Sequence, residues 1–145
     1  MGRTVTYSKK NLVSRHRGTL PILLTCPHDG GETPANVKER TSALTPDTCT
    51  GANKFRNGSD SGLAEITRRV AQRMYEVWGE SPYVVIAGFH RKFIDANRPS
   101  SAANKNCAFV DKDARKFYDE YHKRIRIYAD HILANNNTGF LYDMH

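Results

Sequence analysis

The stretch "YVVIAGFHRKFIDANRP", residues 83–99, runs from an apolar segment straight into His90, Arg91, Asp95, Asn97 and Arg98 before stopping at Pro99. A short run with no polar residue on either side of its alternation reads as a strand covered on both faces. Its end is crowded with hydrogen-bond donors. Two guanidinium groups at a strand tip suit the capture of something anionic, and the rest of the chain has to say what.

Two more stretches read as strands. "LPILLTC" (20–26) is apolar almost throughout and is closed by Pro27, and "GFLYDM" (139–144) is the last. Between them lie two helical patterns. From Ser59, the residues Leu63, Ile66, Val70, Met74 and Val77 recur at steps of three or four, with Ser59, Asp60 and Ser61 as N-cap types and Gly79 placed to end the helix. A second helix is expected over roughly 111–134, with Phe117, Tyr121, Ile125 and Tyr128 as its apolar stripe. Residues 29–58 show no sustained period and read as one long loop, of the kind that forms lids or binding walls. A second irregular stretch covers 98–110.

The order β–α–β–α–β requires helical crossovers. It predicts an α/β domain with a mainly parallel or mixed central sheet flanked by helices. Ligands collect at the carboxyl ends of such strands. Here those ends read "PHDGG", "HRKFIDANR" and "YDMH", so three polar clusters share one sheet edge.

At 145 residues the chain fits one domain, 1–145, opened by a basic N-terminal segment (1–18) that no apolar region follows as a secretory signal would require. No stretch approaches the roughly 18–20 apolar residues of a membrane span. Cys26, Cys49 and Cys107 are odd in number and lack CxxC spacing, which argues against a disulfide framework or zinc ribbon and fits a reducing, cytoplasmic setting. A net charge of +7 points to an acidic partner, either a small carboxylate or nucleic acid.

Candidate chemistry follows from the strand tips. His28 and His145 leave separate strands on the same edge, and imidazole is the commonest metal ligand. A third ligand should be a carboxylate: Asp60, with Glu32 and Asp29 as competitors. Asn97 and Arg98 suit a substrate carboxylate through a bidentate fork plus an amide donor. Arg91 suits a developing oxyanion. For both arginines the competing reading is an ion pair with Asp95. His90, His122 and His131 have weaker claims.

Taken in order, "PHDGG", "SDSGLAEITRRVAQRM", "HRKFIDANRP", "FYDEYHKRI" and "FLYDMH" resemble the N-formylglutamate amidohydrolase family over about residues 20–145. That resemblance implies a phosphorylase/hydrolase-like fold related to zinc carboxypeptidases. It also implies one zinc ion on His28, Asp60 and His145, and hydrolysis of an amide on an acidic amino acid such as N-formylglutamate. Asn97 and Arg98 would be the carboxylate clamp. Family chains continue past the Asp-x-His strand, so this one reads as truncated at its C-terminus, with the general base expected beyond residue 145. Two other readings stay open: a non-catalytic carboxylate-binding domain, and, less favoured, a basic nucleic-acid-binding module. No membrane partner is expected.

Overall fold

The computed structural model describes residues 4–101 and 106–145. The first three residues of the basic N-terminal segment, and residues 102–105 of the second irregular stretch, lie outside the described residues. Seven regular elements follow one another: β1 (Ser8–Lys10), β2 (Val13–His16), β3 (Ile22–Cys26), α1 (Leu63–Trp78), β4 (Tyr83–Ala87), α2 (Arg115–Asn136) and β5 (Phe140–Asp143). Short 3-10 turns occur at Ser42–Leu44, Gly51–Asn53 and Lys112–Ala114.

One five-stranded mixed sheet, ordered β1-β2-β4-β3-β5, carries them. Strands β4, β3 and β5 are parallel, and β1 and β2 add an antiparallel hairpin on the β4 side. The α/β reading and the three parallel strands are as expected from the crossovers. The antiparallel hairpin sits inside the segment read as a basic N-terminal tail. It is held by a two-residue turn in which Asn11 and Leu12 both have positive φ (46° and 58°), the twist a tight hairpin needs.

Alternation along β3 and β4 explains why both read as continuous apolar runs. Leu24, Cys26, Val84 and Ile86 form one buried cluster, with Leu63, Ala64, Val70 and Ala71 of α1 packed into it. Leu23, Tyr83, Val85 and Ala87 lie on the opposite face with Phe117, Tyr121, Tyr128 and Ile132 of α2. The helices therefore cover opposite faces. The connections after β3 and β4 lead to helices on opposite faces, the arrangement in which such sheets bind ligands at their carboxyl edge.

Packing of α1 departs from the predicted stripe. Its fully buried residues are Thr67 and Ala71, while Ile66 and Val77 stay 47% and 56% exposed. Small residues let the helix axis approach the sheet, and the Thr67 hydroxyl is satisfied by donating to the Leu63 carbonyl at 2.6 Å. Counting only large apolar residues thus displaced the contact face. The helix also starts at Leu63, and its cap comes from outside. The Asp29 carboxylate accepts from the backbone N–H groups of Gly62 (3.2 Å) and Ala64 (2.7 Å), serving donors a helix start leaves open.

Residues 29–58 form no helix or strand beyond the short turns, yet they are anchored. Arg40 is 1% exposed and donates to the carbonyls of Arg56 (3.1 Å), Arg91 (2.8 Å) and Cys107 (3.2 Å). Burial pulls its pKa down to about 10, so it remains cationic at neutral pH. Cys49 and Cys107 form a disulfide with a Cα–Cα separation of 5.7 Å, and Cys26 is the free cysteine. This corrects the reading of the cysteines as arguing against a disulfide framework. A separation of 58 residues hides a pairing that only the folded loop creates. Among the described residues no helix is long and apolar enough to cross a membrane.

Candidate metal centre

Three backbone contacts assemble the carboxyl edge. Glu32 bridges to Phe89, its N–H donating to the Gly88 carbonyl at 2.9 Å, which seats the turn after β3 against the end of β4. The Asp60 N–H donates to the His28 carbonyl at 3.1 Å, fixing the residue before α1 beside the tip of β3. The Met144 N–H donates to the Thr25 carbonyl at 2.8 Å and carries the end of β5 to the same level.

These contacts gather His28, Asp60 and His145. One ligand atom from each lies within 4.8 Å of the others, a group that could hold a metal ion. The two imidazole centroids are 5.0 Å apart. Asp60 Oδ2 lies 3.4 Å from His28 Nδ1 and 3.1 Å from His145 Nδ1. Buried His28 Nδ1 makes no hydrogen bond, being close to the carboxylate but poorly aligned with it. An acceptor nitrogen left over inside a cluster of anionic and imidazole ligands fits a cation.

The other nitrogens are also accounted for. His28 Nε2 donates to Asp95 Oδ1 at 2.7 Å, and His145 Nε2 lies 3.0 Å from Asp143 Oδ2 and 3.2 Å from the Asn97 amide. A carboxylate behind each imidazole fixes its tautomer and aims the opposite nitrogen forward, the outer-shell arrangement of histidine metal ligands.

Glu32 and Asp29 are drawn elsewhere. Glu32 pairs with Lys9, and Asp29 caps α1. His90 accepts from the Lys92 N–H through Nδ1 at 3.0 Å, and His122 Nε2 donates to the Ala96 carbonyl at 3.0 Å. Neither these nor His131 belongs to the cluster. Cys26 is buried, and burial pushes its thiol up to about 11, so it offers no thiolate at neutral pH.

The crowded segment after β4 is wound around Asp95, which is 0% exposed. Its Oδ1 accepts from His28 and from the Asn97 N–H (3.1 Å), and Oδ2 accepts from Arg91 Nε at 2.8 Å. Burial pushes this carboxyl up. The hydrogen bond and charge of His28, followed by those of Arg91, more than offset that and hold it at about 2.

Arg91 also donates through Nη1 to the Gly58 carbonyl at 3.3 Å. Arg98 sits 3.8 Å from Asp95 Oδ2, with Nη1 on the Asn97 carbonyl at 2.9 Å and Nε on the Lys54 carbonyl at 3.4 Å. Both arginines thus face Asp95, as the ion-pair reading of the sequence expects. Sequence reasoning missed Asp95 and Asp143 as orienting groups. The Arg-x-x-x-Asp spacing exposed the Arg91 pairing, but nothing local links Asp95 to a histidine 67 positions away.

A mixed α/β sheet with a His–Asp–His cluster at the carboxyl ends of its parallel strands has the layout of a domain able to hold a metal ion beside a small-ligand crevice. The family model described as N-formylglutamate amidohydrolase matches residues 20–113, more than half of the chain, and the chain belongs to that family. His28, Asp60, Arg91, Asp95, Asn97 and Arg98 fall within the matched region, and His145 lies beyond it. Comparisons with curated proteins and with solved structures return no match.

Proposed function

We propose that this domain is a zinc-dependent amidohydrolase acting on an N-acylated acidic amino acid such as N-formylglutamate. The observation that carries the reading is the convergence of His28, Asp60 and His145, with a carboxylate behind each imidazole. A zinc ion held there supplies Lewis-acid polarisation of the amide carbonyl and a water made nucleophilic near neutral pH. Asp95 and Asp143 hold the two imidazole rings in place through their far nitrogens. Arg91 stands beside the cluster, where its guanidinium stabilises negative charge developing on the amide oxygen. Asn97 and Arg98 hold the substrate carboxylate nearest the scissile bond.

The reading assigns no general acid–base carboxylate within the 145 residues, so metal and ligand binding are the decisive readouts. Protein equilibrated with zinc and then desalted should retain about one ion per chain. His28→Ala and Asp60→Asn should each lose it. Wild-type protein that retains none removes the basis of the proposal. Arg98→Lys should weaken N-formylglutamate binding ten- to a hundred-fold, as loss of a charge-assisted contact does, alongside a modest fall in thermal midpoint from losing its hydrogen bond to the Lys54 carbonyl. Lower stability with unchanged affinity would instead make Arg98 a structural partner of Asp95.

A further inference from the structure

The extended segment before Asp60 is held in an unusual way. Alternate carbonyls, those of Lys54, Arg56 and Gly58, each accept from a different arginine: Arg98, Arg40 and Arg91. All three of those side chains are nine-tenths or more buried. Buried guanidiniums are costly to desolvate, and three of them holding one piece of loop backbone make that backbone rigid. Phe55 lies under the Arg40 guanidinium, 5.2 Å from it, which adds a further anchor.

This fixed segment walls a cavity of about 400 Å³ that has Arg56 and Arg91 on its sides and reaches Asp60 of the metal cluster. Arg56 is exposed, and its side chain has no hydrogen bond or ion pair among the described residues, although its backbone is pinned by Arg40. The nearby carboxylates are already engaged: Asp95 by His28 and Arg91, and Asp60 by the two histidines. The cavity therefore carries an unmatched cationic group on a wall that does not have to be ordered when a ligand arrives.

We infer that Arg56 is the specificity-determining residue for the second, side-chain carboxylate of a dicarboxylic N-acylamino acid. The inference rests on the proposed amidohydrolase reading. The α-carboxylate is two bonds from the scissile nitrogen, so it belongs to Arg98, whose guanidinium lies within 3.8 Å of the carboxylate that orients His28. A side-chain carboxylate extends farther from the reacting amide, and Arg56 is a cation on the wall of the cavity that reaches Asp60. Two cationic positions flanking one metal cluster select a ligand that is anionic at both ends.

Calorimetric binding of N-formylglutamate and N-formylglutamine to the zinc-loaded protein tests this, because the two differ only in the charge of the side-chain terminus. Wild type should bind the glutamate compound at least ten-fold more tightly. Arg56→Gln should lose that preference by weakening glutamate binding ten- to a hundred-fold while leaving glutamine binding unchanged, and Arg56→Lys should restore part of it. Exposure of Arg56 makes both variants compatible with folding. Undiminished glutamate binding by Arg56→Gln overturns the inference and leaves the amidohydrolase reading standing. Failure of wild type to bind either compound overturns both.

Discussion

His28 Nε2 donates to Asp95 Oδ1 across 2.7 Å, and both side chains are almost fully buried although 67 residues separate them. This bond leaves His28 Nδ1 as the lone-pair nitrogen that faces Asp60 and His145. Asp95→Asn should therefore lower zinc affinity about ten- to a hundred-fold, measured by competition with a chromophoric chelator. It also leaves the buried Arg91 without its counter-charge, at a cost of about 3–5 kcal/mol in stability. Asp143→Asn, at the more exposed His145, separates the two effects. It should weaken zinc in the same direction without that loss of stability, and unchanged affinity in both variants would refute the orienting role.

Acid should act on the metal-free fold in two windows. Burial lowers the pKa of His122 below its ordinary 6.5. The unfolded chain then takes up that proton more readily, so stability is complete above about pH 6.5 and declines as pH falls below it. Asp95 is held at about 2. Its contribution is present above the unfolded value near 4 and is lost as pH falls toward 2, amounting to about 2 kcal/mol. Thermal midpoints recorded with chelator present should show both declines. His122→Gln should flatten the upper one alone, and an unaltered slope between pH 7 and 5 would remove His122 from this account.

The Cys49–Cys107 disulfide closes a long loop over the wall of the site. Cys49→Ser combined with Cys107→Ser should lower stability by about 3–4 kcal/mol on the loop-entropy account. A dithiol reductant should shift the wild-type thermal midpoint downward and leave the double variant where it is. Equal midpoints with and without reductant would show that the bridge does not stabilise the domain.

Packing of α1 makes a contrasting pair. Leu24 is buried at the sheet–helix contact, and its truncation to Ala should cost about 2–5 kcal/mol through lost transfer and a cavity. Ile66 projects from the same helix yet is largely exposed, and Ile66→Ala should stay within about 0.5 kcal/mol. Gly30→Ala is the opposite extreme, because a Cβ there overlaps the backbone of Gly88 and Phe89 where the two loops cross. Urea titrations of the three variants should rank Ile66→Ala as the mildest. Comparable losses from Ile66→Ala and Leu24→Ala would mean that the helix is turned differently against the sheet.

The sequence by itself determined the α/β layering, the three parallel strands, and the edge at which polar groups collect. These follow from local periodicity: β3 and β4, buried on both sides, cannot avoid an unbroken apolar run, and parallel strands need helical crossovers, although β5, apolar in sequence, lies exposed at the sheet edge. The grouping of His28, Asp60 and His145 was legible for the same reason, since each sits at the end of a readable element. The hairpin of β1 and β2 was less legible. "SKK" and "VSRH" are polar strands on the sheet's margin and carry little hydrophobic signal.

Only the tertiary structure decided how those groups are wired. Asp95 serves His28, Arg40 pins a loop through carbonyl acceptors, Asp29 caps a helix more than thirty residues away, and Cys49 meets Cys107. Each link joins positions far apart in the chain, and a carboxylate, guanidinium or thiol has several possible partners of equal local plausibility. Burial makes the choice. Once a polar group leaves water it must be matched, and which partner lies within 3 Å is set by how the loops cross at the sheet edge.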